Sequence, residues 1–160
     1  MNRADDFPPL AEILPQTGRM ALLDRILAHD PEHTVCAVDV DQSRLFQGPD
    51  GCVPVWVGIE YMAQCIAAHG GLLARGRNED PKPGLFLGSR RLTFRSRGFE
   101  PGSRLEVSAR HRAGEPGRPG LLVFRCALRD PQQAQPLAEG QLNVYGLESL
   151  DALFQGAPPR

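Results

Sequence analysis

Residues 53–73 read VPVWVGIEYMAQCIAAHGGLL and hold the one long helix to be expected in this chain. Pro54 opens the run, and the helix is expected over about Val55 to Leu73, with Gly70-Gly71 fraying its end. The apolar positions Val57, Met62, Ile66 and Leu73 are spread widely, with small Ala63, Ala67, Ala68, Gly70 and Gly71 between them. A helix that is apolar nearly all round is a buried one, and small residues let a sheet pack closely against it. The same run could mimic a membrane span, but it contains Glu60, Gln64 and His69. A carboxylate at mid-bilayer costs on the order of 2.5–3.5 kcal/mol even on a lenient scale, so no membrane span is expected.

On the N-terminal side, Pro8 to Leu14 reads as a short helical turn stopped by Pro15. Met20 to Ala28 reads as a strand, Asp30-Pro31-Glu32 as a turn, and Thr34 to Val40 as a second, antiparallel strand. Gln47 to Pro54 is a loop. On the C-terminal side, Arg75 to Gly84 is a polar loop, after which the pattern switches to period two. Leu85 to Arg97, Arg104 to Arg112, Leu121 to Arg129 and Leu137 to Tyr145 are the expected strands. Glu100-Pro101-Gly102-Ser103 and Gly114 to Gly120 separate them. Glu148 to Phe154 reads as a last helical turn, and Gly156 to Arg160 as a flexible tail. Two strands, one buried helix and about four more strands make a single α+β domain over residues 1–160, with an antiparallel sheet around one helix. One such unit leaves a sheet edge and part of its helix uncovered, so a twofold dimer, or an assembly of dimers, is expected.

The chain has 160 residues and a formal net charge of -1, which gives no broad electrostatic footprint for nucleic acid. Its aromatic content is 6%, too sparse for base-stacking platforms. The N-terminus lacks a basic stretch followed by an apolar core, so no secretory signal is read there. Cys36, Cys52, Cys65 and Cys126 form no Cys-x-x-Cys pair, and reduced thiols in the cytoplasm are the simplest reading. His29 and His33 flank a Pro-containing turn and do not lie on one helix, so no metal site is expected. No cofactor is implied either, because the glycines of Gly114 to Gly120 do not follow a strand and open a helix.

Several motifs, taken in order, resemble one family. Leu14-Pro15 followed by Met20-Ala21-Leu22-Leu23-Asp24-Arg25 resembles the opening of bacterial 3-hydroxyacyl-carrier-protein dehydratases of the FabZ/FabA type. Phe46-Gln47-Gly48 matches the run leading into their active-site loop, and Glu60-Tyr61-Met62-Ala63-Gln64 resembles the motif on their central helix. Leu87-Gly88 through Arg95, ending in Pro101-Gly102, resembles their third strand and its turn. Pro54 through Gln64 and Leu87-Gly88-Ser89-Arg90 are most similar to the ApeP-like branch associated with aryl-polyene pigments. The resemblance implies a hotdog fold, a homodimer, and dehydration of acyl thioesters on an acyl carrier protein or coenzyme A in fatty-acid, polyketide or polyene biosynthesis. One departure stands out. The family's catalytic His follows the Phe-Gln-Gly run, whereas here Gly48 is followed by Pro49-Asp50-Gly51-Cys52.

Dehydration needs a base for the proton alpha to the carbonyl, an acid for the leaving hydroxyl, and donors for the thioester oxygen. Glu60 holds the family's catalytic acid position in the most apolar helix, where burial would raise its pKa. Gln64, four residues on, either fixes Glu60, binds the substrate hydroxyl, or makes an interface hydrogen bond. The backbone N–H groups of Val55 and Trp56 are oxyanion candidates at the helix start. Asp50 is the loop candidate for a second proton carrier, or else a turn former. Arg91, Arg95 and Arg97 alternate along one strand, as a solvated face or as an anchor for a phosphopantetheine phosphate or an acidic carrier. Two rival functions share these residues: an acyl thioesterase, with Glu60 activating water, and a non-catalytic acyl-binding or partner subunit of a dehydratase complex.

Overall fold

The computed structural model describes residues 7–154, so the expected tail at 156–160 lies outside the described residues. The chain forms β1 (Arg25–His29), β2 (His33–Asp39), β3 (Val53–Pro54), α1 (Gly58–Gly76), β4 (Gly84–Phe94), β5 (Gly98–Phe99), β6 (Arg104–Ala113), β7 (Gly120–Arg129) and β8 (Ala138–Gly146). Short 3-10 turns precede and follow these elements, among them Leu10–Glu12, Gly18–Met20, Val40–Phe46, Val55–Val57 and Asp151–Leu153. Six strands form one antiparallel sheet in the order β1-β2-β6-β7-β8-β4. Helix α1 packs across β2, β6 and β7.

The sheet follows from alternation. In β6, Leu105, Val107 and Ala109 are buried while Arg104 and Arg110 are exposed. In β7, Phe124, Cys126 and Leu128 are buried while Arg125 and Arg129 are exposed. Facing them on α1 are Tyr61, Met62, Cys65 and Ala68, all fully buried. Burying a side chain the size of Met62 or Leu128 contributes about 1.5–3 kcal/mol. The turn at Glu100–Ser103 closes because Gly102 takes φ +74°, a left-handed value that glycine adopts without strain.

Three sequence expectations give way here. The strand expected from Met20 begins only at Arg25, because Met20 to Leu22 is occupied elsewhere: it is held by α1 rather than by a neighbouring strand. The expected fraying at Gly70-Gly71 is absent, and α1 runs through to Gly76. Gly71 is a packing residue, since a Cβ there would stand 2.7 Å from Ile13 Cγ2 and 3.1 Å from the Ile13 carbonyl oxygen. The helix also starts later than Val55, as a 3-10 turn over Val55–Val57 leads into α1 at Gly58.

Two surfaces remain open. Strand β4 lies at the sheet edge, with Phe86 and Leu87 exposed. Along α1, exposed Gly70 and half-buried Ala63 and Ala67 continue the line of Glu60, forming a stripe of small side chains.

Candidate active site

Glu60 stands in the first turn of α1 and is half-buried. The helix is less enclosing at this point than its composition implies, because Glu60 lies on the open stripe and not on the face against the sheet. Gln64 donates its Nε2 to Glu60 Oε1 at 2.9 Å and to the Met20 carbonyl at 2.7 Å. Gln64 Oε1 accepts the Leu22 N–H at 3.0 Å. Both donors and one acceptor of this fully buried amide are therefore used. Of the roles open to Gln64 in the sequence, the geometry supplies the one that fixes Glu60.

The next residue points the other way. Tyr61 is fully buried, with its hydroxyl 2.6 Å from Ser43 Oγ, and burial raises its phenol above the usual value. This contact ties the Val40–Phe46 segment to the helix. That segment brings Phe46 against Trp56, with ring centroids 6.2 Å apart. Exposed Met20, Leu45 and Trp56 give the Glu60 end of α1 an apolar rim.

At the helix start, the Val55 N–H donates to the Arg97 carbonyl at 3.2 Å. The β3–β5 pair causes this by laying Gly98 opposite Pro54. Val55 is thus engaged and cannot serve as a free oxyanion donor. The Trp56 N–H, with no backbone acceptor among the described residues, is the candidate that remains.

Asp50 is exposed, and its Oδ1 accepts the Cys52 N–H at 3.0 Å, which closes a turn two residues wide. No described contact joins it to Glu60 or Gln64, so the turn-forming role is the one its geometry supplies. Desolvation, with Asp50 beside it, pushes the Cys52 thiol up and away from the thiolate.

The three arginines do not form one free face. Arg95 donates to Glu139 Oε1 at 2.7 Å and holds that carboxyl below the usual carboxylate range. Arg97 meets the helix start through its carbonyl, while Arg91 is exposed on β4 opposite Gln141.

The four histidines gather away from Glu60. Thr34 Oγ1 lies between His29 Nδ1 at 2.8 Å and His69 Nδ1 at 2.9 Å. His69 and His111 each meet the Phe124 ring edge-on. His33 sits opposite Arg110 on the neighbouring strand. Nine residues of helix, about 13 Å, separate His69 from Glu60.

The clamp on Met20 and Leu22, the Ser43–Tyr61 contact and the Arg97 carbonyl are absent from the sequence reading. Each joins positions distant in the chain. Only the polar Gln64, set between Ala63 and Cys65 in the apolar helix, hinted at a buried partner.

A family model described as ApeP-like, ApeP dehydratase, matches residues 8–155. Among solved structures, the dehydratase heterocomplex ApeI:P from Xenorhabdus doucetiae superposes with a TM-score of 0.83 at 27% identity, covering 93% of this chain and 97% of that chain. Zebrafish thioesterase superfamily member 2 superposes with a TM-score of 0.60 at 16% identity, covering 83% of this chain and 87% of that chain. A Pseudomonas aeruginosa thioesterase does so with a TM-score of 0.53 at 18% identity, covering 77% and 80% respectively. The two thioesterases share the hotdog fold. No curated protein sequence matches the chain.

Proposed function

This chain belongs to the ApeP-like dehydratase family, and from that premise we propose that it removes water from 3-hydroxyacyl thioesters as one half of a composite active site. The observation that carries the reading is the Glu60–Gln64 pair at the open end of α1. Gln64 occupies one carboxyl oxygen and leaves the other without a described hydrogen-bond partner. Glu60 in its protonated form donates to the leaving hydroxyl, and the C–O bond breaks as the proton alpha to the carbonyl departs. The Trp56 N–H, at the positive end of the helix, stabilises the thioester oxygen as it gains charge.

The base for the alpha proton is supplied by a second subunit. No described histidine lies near Glu60, and Asp50 is a turn former. The open stripe of α1 and the bare edge of β4 are the surfaces a second subunit covers, whether another copy of this chain or a related one. The similarity to a dehydratase heterocomplex supports such a pairing. Substrates on a carrier protein or coenzyme A, in aryl-polyene assembly, follow from the family. The four free thiols fit a reducing compartment such as the cytoplasm.

The test is the purified protein, at micromolar concentration, with 3-hydroxyacyl and saturated acyl thioesters. Enoyl product supports dehydration. Free thiol without enoyl product assigns a thioesterase instead. Activity that appears only when a related hotdog subunit is co-purified assigns the base to that subunit, whereas activity of the purified chain alone assigns it to another copy of this chain.

A further inference from the structure

The face of the sheet that points away from α1 carries three arginines, Arg110, Arg125 and Arg91, set in one row with His33 and Gln141 by strand register. His33 pairs with Arg110, Arg110 with Arg125, Arg125 with Gln141, and Gln141 with Arg91. Directly paired residues in a sheet point to the same face, so these five side chains form one line across β2, β6, β7, β8 and β4. Four strand spacings make the line roughly 19 Å long. Arg110, Arg125, Gln141 and Arg91 are exposed.

Like charges placed directly opposite one another destabilise a sheet, and Arg110 stands directly opposite Arg125. Among the described residues two carboxylates reach the row: Glu139, which lies 3.7 Å from Arg125 and is already bound by Arg95 at 2.7 Å, and Asp30, which accepts the His33 N–H and sits within electrostatic reach of Arg110. Arg110 and Arg91 form no ion pair among the described residues. Arg104, Arg112 and Arg129 lie exposed on the same two strands. This cationic face belongs to a chain whose formal net charge is -1.

We propose that the His33–Arg110–Arg125–Gln141–Arg91 row docks an acidic protein surface, the carboxylate-bearing face of the carrier that delivers the thioester. The inference rests on the dehydratase reading and adds where its carrier lands. Guanidinium groups suit carboxylates because their forked donors meet both oxygens. Glu106 and Glu139, interspersed among the arginines, disfavour a continuous phosphate backbone on this face. The β4 end of the row also leads toward chemistry. From Arg91 the chain runs about 20 Å to Arg97, whose carbonyl holds the start of the turn before Glu60. A thioester on a long flexible arm follows that path around the sheet edge.

The experiment measures binding of a purified apo acyl carrier protein to the full chain by fluorescence anisotropy over a salt series. Arg110→Gln/Arg125→Gln is compared with Arg75→Gln/Arg118→Gln, which removes the same charge elsewhere. The row variant is expected to bind about tenfold more weakly or worse, with a flatter salt dependence. The control variant keeps wild-type affinity, and both keep the wild-type melting temperature or better. Equal weakening by both variants overturns the proposal in favour of diffuse attraction. Tighter wild-type binding to duplex DNA or to anionic phosphatidylserine vesicles also overturns it. So does an absence of wild-type binding to the carrier. Turnover of a short 3-hydroxyacyl pantetheine thioester is read in parallel, so that a failed docking surface is told apart from a failed dehydratase.

Discussion

Gln64 and Glu60 are joined one helical turn apart, Nε2 to Oε1 at 2.9 Å, and the same Gln64 amide carries the backbone of Met20 and Leu22. One side chain therefore holds the Glu60 carboxyl and fastens the N-terminal segment. Gln64→Ala leaves the Leu22 N–H and Met20 carbonyl without partners. Stability should fall by about 2–3 kcal/mol, and the Leu22 amide should lose its protection in hydrogen exchange. Unchanged denaturation midpoints would show that the clamp contributes nothing.

The two neighbouring glycines near the end of α1 should respond oppositely to alanine. A Cβ at Gly70 meets nothing within 4 Å, whereas one at Gly71 stands 2.7 Å from Ile13 Cγ2. Within the protomer, Gly70→Ala is expected to stabilise the helix by roughly 0.5–1 kcal/mol through helix propensity. Gly71→Ala is expected to destabilise by about 1–3 kcal/mol through overpacking. Urea denaturation of both variants checks the pair.

Burial, with the other histidines nearby, lowers the His69 pKa from 6.5 to about 4. A histidine with a depressed folded pKa favours the fold fully above pH 6.5 and loses that contribution as pH falls toward about 4. The loss should amount to on the order of 3 kcal/mol. Folding stability measured from pH 7 to pH 4 should drop more steeply in the wild type than in His69→Phe. Parallel curves would mean that His69 binds its proton without cost to the fold.

Strand β4 presents exposed Phe86 and Leu87 on an unpaired edge. If a second subunit covers that edge, Leu87→Lys should shift the protein toward monomer in light scattering at micromolar concentration. A wild-type protein that is already monomeric would remove the composite site along with the assembly.

The later strands were legible in the sequence because alternation and turn chemistry agree there. Arg104–Ala113 and Gly120–Arg129 lie within a residue or so of the expected runs. Met20 to Leu23 misled because its backbone is held by Gln64 of the helix and not by a ladder, with Leu22 and Leu23 buried and Met20 exposed, and local periodicity does not name that partner. Gly70-Gly71 misled for a related reason: the approach of Ile13, not helix propensity, accounts for Gly71. At the site, the contact between Glu60 and Gln64 was legible from helical spacing. Loss of the Val55 donor was not, since it depends on Arg97 arriving through the β3–β5 pair. The cationic row was equally hidden, because it exists only once five strands are in register.

The most direct test is Glu60→Gln, assayed for enoyl product from a 3-hydroxyacyl thioester in the assembled protein. The substitution keeps the side-chain shape and an oxygen for Gln64 to bind, but removes the transferable proton. Turnover should fall by about 10²–10⁴-fold, the usual share of one proton-transfer group, with the melting temperature and substrate-analogue binding little changed. Near-normal turnover in Glu60→Gln would contradict the account.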